Sequence, residues 1–535
     1  MSTSTNYDRK RAQYCSKYCR HDKLESTAEA VRHSPLISLA VQCYMDEPHS
    51  QSGGGLGNTS TSTGLGTTVA NGVNSQALSP PVVAQYGLLG FDLENTDDDD
   101  NAEPILLNTN VPGSVFLCGS QGSGKSYTLS CMLENHLLKD ATVGVQRQTI
   151  PGFVFHYDAN GQTSLAEAAS LCSRGIKVRV LVSWSNYQKM KQLYEDLATR
   201  YGKKVEVRPL LFQDNDLTAT HILNLMSFDE GSTTPVYLSV LQAIMGKIAR
   251  EGNGFSMLKF LKAIEAEKFQ GTQKSMLDQR MYILKTFSAT ATPAMVEKEY
   301  PKEKGNVLRQ RKVNQGVGLP GDCITIEKGT LTIVDLSGDF VDASTACTMF
   351  DICLAVILKR HQKAVREKRI AAGLIVTLDE AHKYLDTTIP AAEKFTSSLL
   401  TIIREQRHNS ARVVIATQEP TISGRLLDLC SVSIIHRFNS PEWFTAIRQH
   451  LGGASDMITA DEDEEKSQSW GELFRRILAL RVGESLVFSP TSWVHGGEVP
   501  GGGEAVEPKV LGSGVLWMKT RKREGDDAGR TMNVI

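Results

Sequence analysis

At 535 residues the chain is long enough for a large buried core and, on length, for two or more domains. Its 58 basic and 60 acidic side chains leave a net charge of −2, which excludes a bulk electrostatic pull toward nucleic acid or an acidic membrane; 41% hydrophobic residues is ordinary for a globular protein. No run approaches about 18 apolar residues, the opening MSTSTNYDRKRAQ lacks an apolar signal core, and ten cysteines lie scattered without a tight framework, so an intracellular protein, cytoplasmic or nuclear, is expected.

Residues 1–102 are expected to be largely disordered. Ser52 to Ser79 is a Gly/Ser/Thr/Asn-rich linker and Asp97 to Asp100 an acidic run. Between them Val82 to Leu93 has apolar residues for one short element, an edge strand of the main sheet. Cys15, Cys19 and His21, with Cys43 or His33, would suffice for a zinc site, but a solvated, partly helical tail is the preferred expectation.

From Glu103 the pattern becomes α/β. Ile105 to Leu107 leads into a buried strand, Val115 to Cys118, then a glycine-rich turn, then an amphipathic helix. The turn fits G-x-x-x-x-G-K-[ST] at Gly119, Gly124, Lys125 and Ser126, and by chance that pattern is expected only about 0.03 times in a chain of this length and glycine content. Glycines let successive N–H groups point at phosphate oxygens, and the following helix directs its positive end at the same anion. Gly119, Ser120, Gln121, Gly122, Ser123, Gly124, Lys125, Ser126 and Tyr127 are therefore the expected nucleotide-binding residues, with Lys125 reaching the β- and γ-phosphates of ATP and the Ser126 hydroxyl on Mg²⁺.

Strands are expected at Phe153 to Tyr157, Val178 to Val182, Val205 to Phe212 and Gly329 to Ser337, with helices at Tyr187 to Tyr201 and Ala343 to about Arg369. Alternating strands and helices predict a mainly parallel sheet covered on both faces. A helical insertion is expected at about 219–312. Leu258, Leu261 and Ile264, then Met276, Met281, Leu284 and Phe287, give its apolar stripes, and an exposed basic loop closes it at Glu299 to Lys312.

GLIVTLDEAHKYL supplies the second motif. A buried strand, Leu374 to Leu378, ends in Asp379, placed to hold Mg²⁺, and Glu380, placed to activate the attacking water. A surface acid pair opening a helix is the plain alternative. Next, ARVVIATQ ends in Gln418, a candidate for the γ-phosphate or the lytic water. Arg404, Arg407 and Arg437 flank these strands; any of them is a candidate arginine finger for a neighbouring subunit, against ordinary surface ion pairs.

With GSQGSGKS, TLTIVDLS, IVTLDEAHKYL, IREQRHNSARVVIATQEPTIS, LLDLCSVSIIHRFNSPEW and LALRVGESLVFSP in this order, the chain resembles the HerA/FtsK superfamily of additional-strand phosphate-loop ATPases over roughly residues 103–490. Within it the chain is most similar to HerA-like proteins and the ATPases of type IV secretion, and as a whole to a set of fungal phosphate-loop proteins. The resemblance implies a RecA-like core and a homo-oligomeric ring, usually a hexamer, with ATP between subunits and hydrolysis moving DNA or protein through the pore. It places Lys125 and Ser126 at the Walker A positions, Asp379 and Glu380 at the Walker B and catalytic positions, and Gln418 at the sensor. The small β-barrel that HerA proteins carry ahead of the loop has no counterpart in so polar a linker. DEAH-box helicases share the letters Asp379 to His382 but hold them nearer the loop than the about 250 residues seen here, and no LSGGQ-type signature is present. A nucleotide switch or scaffold, or a protein-handling ATPase, is the alternative to a DNA motor.

The tail is expected to add a helix, Trp470 to Leu480, a strand, Glu484 to Phe488, that closes the sheet edge, a flexible stretch over 496–535 and one last strand within Val510 to Lys519. The basic cluster Lys519 to Arg523 is expected to be solvated. The division that follows is 1–102, 103–495 with its insertion, and 496–535.

Overall fold

The computed structural model describes residues 23–46, 81–93, 102–159, 165–226, 236–252, 254–269, 271–291, 323–339, 341–420, 422–450, 463–495 and 508–525. Cys15, Cys19, His21, the 52–79 linker, the acidic run 97–100, the 299–312 loop and most of the 496–535 stretch before Pro508 lie outside them.

In chain order the strands are β1 (Leu36–Ser38), β2 (Tyr86–Asp92), β3 (Glu103–Leu107), β4 (Gly113–Cys118), β5 (Gly144–Val145), β6 (Gly152–His156), β7 (Lys177–Val182), β8 (Glu206–Pro209), β9 (Thr330–Asp335), β10 (Leu374–Leu378), β11 (Ala411–Thr417), β12 (Val432–His436), β13 (Glu484–Phe488), β14 (Trp493–His495), β15 (Pro508–Val510) and β16 (Leu516–Thr520). The helices that concern the site are α1 (Lys125–Leu137), α2 (Tyr187–Arg200), α3 (Ala343–Arg366) and α4 (Pro390–Arg404).

All described strands join one sheet. Its centre runs β12-β4-β11-β10-β6-β9-β7-β8, parallel throughout. These strands are near-continuous apolar runs because both faces are covered. Side chains alternate between faces. Phe116, Phe153 and Phe155 enter the core under α3 and α4, where Phe350 stacks on Phe155 at 5.0 Å between centroids. Val115, Leu117 and Val154 enter the other core, with Leu129, Met132 and Leu133 of α1 and Met190 and Tyr194 of α2. On α3 Ala346, Met349, Phe350, Cys353, Leu354 and Ile357 form a buried apolar stripe, and the Asp342 side chain caps the helix by accepting from the Thr345 N–H at 2.7 Å.

The insertion is helical where it is described: Ala219–Met226, Val236–Arg250, Met257–Ala266 and Thr272–Thr286. Its expected stripes hold in part: Ile264, Met281, Leu284 and Phe287 are buried, while Leu258 and Met276 are exposed and Met257 and Phe260 face inward instead. Period 3.6 fits either set in so short a segment, and the packing decides.

Two expectations are corrected on the β12 side of β4. The strand Glu484–Phe488 does not close an edge; it is antiparallel to β12 on one side and to β16 on the other. Nor is Tyr86–Asp92 an edge strand, since it pairs with both β3 and β16. The region ahead of the loop also contributes ordered parts: helices Lys23–His33 and Leu39–Asp46, and strands β1 and β2. Val31, Ile37, Val41, Val83 and Leu106 give it a small core of their own. Those apolar residues flank the polar linker, and averaging over the whole segment hides them. The sheet thus takes strands from 1–102, 103–495 and 496–535 alike, so these ranges mark changes of composition within one sheet.

Candidate nucleotide site

Parallel strands present their carboxyl ends on one edge of the sheet, where open α/β sheets bind ligands. Three motifs meet on that edge with the end of β6 beside them, because β4, β11, β10 and β6 are neighbours there. One strand, β11, stands between the loop strand and the acid-tipped strand. That places Gln418 between Lys125 and Glu380 in sheet order.

The loop begins at Gly119. A Cβ there would lie 2.6 Å from both His436 Cβ and Ser123 Oγ, so only glycine lets the turn close. Gly124, at φ +107, precedes the first residue of α1, and a Cβ on it would meet the Gly483 nitrogen at 2.7 Å. The Ser120 N–H and hydroxyl both donate to the Arg437 carbonyl at 2.9 Å, which pins the loop to the end of β12. His436 supports it from below, with Nε2 3.0 Å from Thr128 Oγ1 and Nδ1 2.8 Å from the Glu484 carbonyl. The Ser123 hydroxyl is buried without a hydrogen-bond partner, the mark of a polar atom awaiting a ligand.

Lys125 is 5% exposed and its ammonium lies 3.4 Å from Glu380 Oε1. Gln418 Nε2 donates to both carboxylate oxygens of Glu380, at 3.1 and 3.0 Å. Glu380 itself sits at φ 49°, a left-handed conformation that a non-glycine residue holds only when its surroundings impose it. Three residues separated by up to 293 positions in sequence thus share one carboxylate.

Asp379 is buried. Burial works to raise its pKa, but the hydrogen bond to His156 at 3.3 Å and the positive charges of His156, Lys125 and Lys383 outweigh it and hold the carboxyl below its ordinary value. His156 shows the reciprocal effect: burial opposes its charge, yet the hydrogen bond it donates to Asp379 and the nearby charge of Asp335 push its pKa up to about 9. Behind them Tyr194 donates to Asp335, and Lys383 pairs with Asp158 at 3.0 Å.

His156, Asp158, His382 and His436 were missed by sequence reasoning. The usable signal was position, since His156 and His436 end their strands and Asp158 lies two residues past β6. His382 Nδ1 lies 3.4 Å from Glu380 Oε2 and 3.4 Å from the Gln418 backbone nitrogen. Burial lowers its pKa against the pull of Glu380 and Glu419, so the ring orients Gln418 as a neutral acceptor.

The candidate arginines divide. Arg437 follows β12 beside the loop and its side chain is exposed. Arg404 and Arg407 are also exposed, but they precede β11, at the end of the sheet away from Gln418. Within one chain they are not brought to the site.

Buried neutral histidines predict a pH effect. Burial lowers His436 to about 4, with the Glu484 carbonyl opposing, and lowers His136 to about 3, with the Arg412 charge assisting and the Met132 carbonyl opposing. Below about 6.5 the unfolded chain takes up protons that the folded chain refuses, so stability is present above that pH and is lost as pH falls toward 4. Urea midpoints should drop between pH 7 and pH 4.5; a flat or rising midpoint would contradict the burial of these two rings.

The parallel strand order and the loop between β4 and α1 make this fold a RecA-like phosphate-loop NTPase core. No family model matches the chain, and no curated protein does. Among solved structures it is similar to VirB4 of Thermoanaerobacter pseudethanolicus, at 8% identity over 82% of this chain and 97% of that one, with a TM-score of 0.41. It is also similar to the genome packaging NTPase B204 of Sulfolobus turreted icosahedral virus 2 in complex with AMPPCP, at 12% identity over 30% of this chain and 64% of that one, with a TM-score of 0.20. A third is B204, the DNA-packaging ATPase from Sulfolobus turreted icosahedral virus, at 9% identity over 64% and 92%, with a TM-score of 0.21. Among the described residues no helix is long and apolar enough to cross a membrane.

Proposed function

We propose that the chain is a Mg²⁺-dependent ATPase. The observation that carries this is the convergence of Lys125, Glu380 and Gln418 within 3.4 Å at the carboxyl ends of adjacent parallel strands. A γ-phosphate entering the loop takes Lys125 from Glu380, because three phosphate oxygens are stronger acceptors for a buried ammonium than one shared carboxylate. Backbone N–H groups from Gln121 to Tyr127 other than that of Ser123 then wrap the phosphates, since the Ser120 and Ser123 N–H groups donate to the Arg437 and Ser120 carbonyls. Freed of Lys125, Glu380 accepts a proton from the attacking water, and Gln418 holds carboxylate and water in line.

The donor set suits a hard, oxygen-seeking cation. Ser126 offers a half-buried hydroxyl in the first turn of α1, and Asp379 a carboxylate kept ionised by His156. These two residues would hold Mg²⁺, which when bound neutralises charge on the transferred phosphoryl group. His156 fixes the Asp379 carboxylate from behind, as outer partners of metal ligands do.

The finer reading is a ring-forming motor, with Arg437, Arg404 or Arg407 reaching a neighbour's nucleotide and DNA as the moved polymer. Their exposure supports this, and the position of Arg404 and Arg407 far from their own site fits service in trans. Steady-state hydrolysis with and without double-stranded DNA tests it. The motor reading expects stimulation that fades as salt rises, since phosphate contacts are salt-sensitive. Turnover indifferent to DNA would point to a protein-handling ATPase instead.

A further inference from the structure

A triphosphate lying on the loop has two ends. Its γ end belongs with Lys125, Glu380 and Gln418, and β10 and β11 stand on one side of β4. The nucleoside must then leave toward the other side, where β12, β13 and β16 stand.

On that side the turn before β13 docks on the loop. The Gly483 N–H donates to the Ser123 carbonyl at 3.2 Å, and the Gly483 carbonyl accepts from the Thr520 N–H at 2.9 Å. Val482, at the crest of this turn, is 68% exposed. Alongside, Tyr127 follows Ser126 in the first turn of α1. Its hydroxyl accepts from the Arg523 N–H at 2.6 Å, and the Arg523 guanidinium lies 4.9 Å from the ring centroid. Arg523 is 8% exposed, and Thr520 is tied to Thr128 at 2.8 Å. The segment after β16 is therefore built into the flank of the loop.

We propose that Val482, Tyr127 and Arg523 form the wall that receives the base and ribose of the nucleotide. An exposed aliphatic side chain and a ring stacked with a guanidinium offer flat apolar area beside an anion site, the surface a nucleobase needs. As a purely structural feature, the Tyr127–Arg523 stack would fasten the tail, but that leaves an exposed valine against the phosphate loop without a role. The proposal rests on the ATP reading above and adds where the base lies and which residues set its affinity.

The test compares ATP with inorganic tripolyphosphate, which has no base, both with Mg²⁺, by calorimetric titration of the full chain. The variants are Val482→Ser and Val482→Asn, which remove apolar area without changing charge. ATP should weaken about fivefold in each, with tripolyphosphate unchanged in both. Equal weakening of the two ligands, or unchanged ATP affinity in both variants, would overturn the base wall while leaving the ATP reading intact. If the unmodified chain binds neither ligand, the ATP reading fails and the wall with it.

Discussion

Lys125→Ala is expected to abolish measurable ATP binding, a loss of at least about a hundredfold in affinity. The ammonium is 5% exposed and already lies 3.4 Å from a carboxylate, so its charge is held in place before any ligand arrives. Among the described residues no other cation lies within bonding distance of Glu380, and burial lowers the pKa of the neighbouring His382, so nothing there replaces the lysine against phosphate. The substitution also removes a partner from Glu380, leaving a part-buried carboxylate held by Gln418. Fluorescent-nucleotide titration checks the expectation. Near-normal affinity in Lys125→Ala would show that the loop does not bind the triphosphate through this residue.

Arg521→Leu is expected to destabilise the fold by about 3–5 kcal/mol, the usual cost of stripping one partner from a buried ion pair. Glu134 is fully buried on α1 and Arg521 is 5% exposed, with the guanidinium 2.8 Å from Glu134 Oε2. The same guanidinium donates to the Leu88 and Lys522 carbonyls at 2.7 and 2.9 Å and to Asn135 Oδ1 at 3.1 Å. Backbone N–H groups of Glu524 and Gly525 complete the Glu134 carboxylate at 3.1 and 2.7 Å. Removing the arginine leaves a charge in the protein interior. Replacing both members, Glu134→Leu with Arg521→Leu, should recover only part of the loss: the unpaired charge is gone, but the Leu88 and Lys522 carbonyls and the Glu524 and Gly525 N–H groups lose their side-chain partners. Chemical denaturation of the three variants measures it; a single variant as stable as the parent would contradict the burial.

This pair also marks where sequence reasoning stopped. Lys519 to Arg523 was expected to be solvated, yet Arg521 and Arg523 are buried against the helix that follows the phosphate loop. Nothing local announces a partner 387 positions away, and a basic run in a tail has the composition of a solvated one. The same holds for β13, whose two antiparallel partners come from different parts of the chain. By contrast, the loop, Asp379–Glu380 and Gln418 were legible because each is spelled within a few residues of a strand end. Parallel topology then brings strand ends to one edge. His156 was within reach of that same rule and was missed because a histidine ending a strand carries no motif of its own. In the insertion the helices and the buried Met281, Leu284 and Phe287 were legible, but Leu258 satisfies the same period as the buried Met257 and Phe260, and only packing separates them.

The most direct measurement is ATP binding and turnover by the parent chain beside Glu380→Gln. The substitution keeps the size of the side chain and its place next to Gln418 but removes the base. The account predicts that Glu380→Gln binds ATP about as well as the parent and turns it over about a hundredfold more slowly or worse. Equal turnover by the two would contradict the assignment of Glu380, and with it the claim that this cluster is a hydrolytic centre.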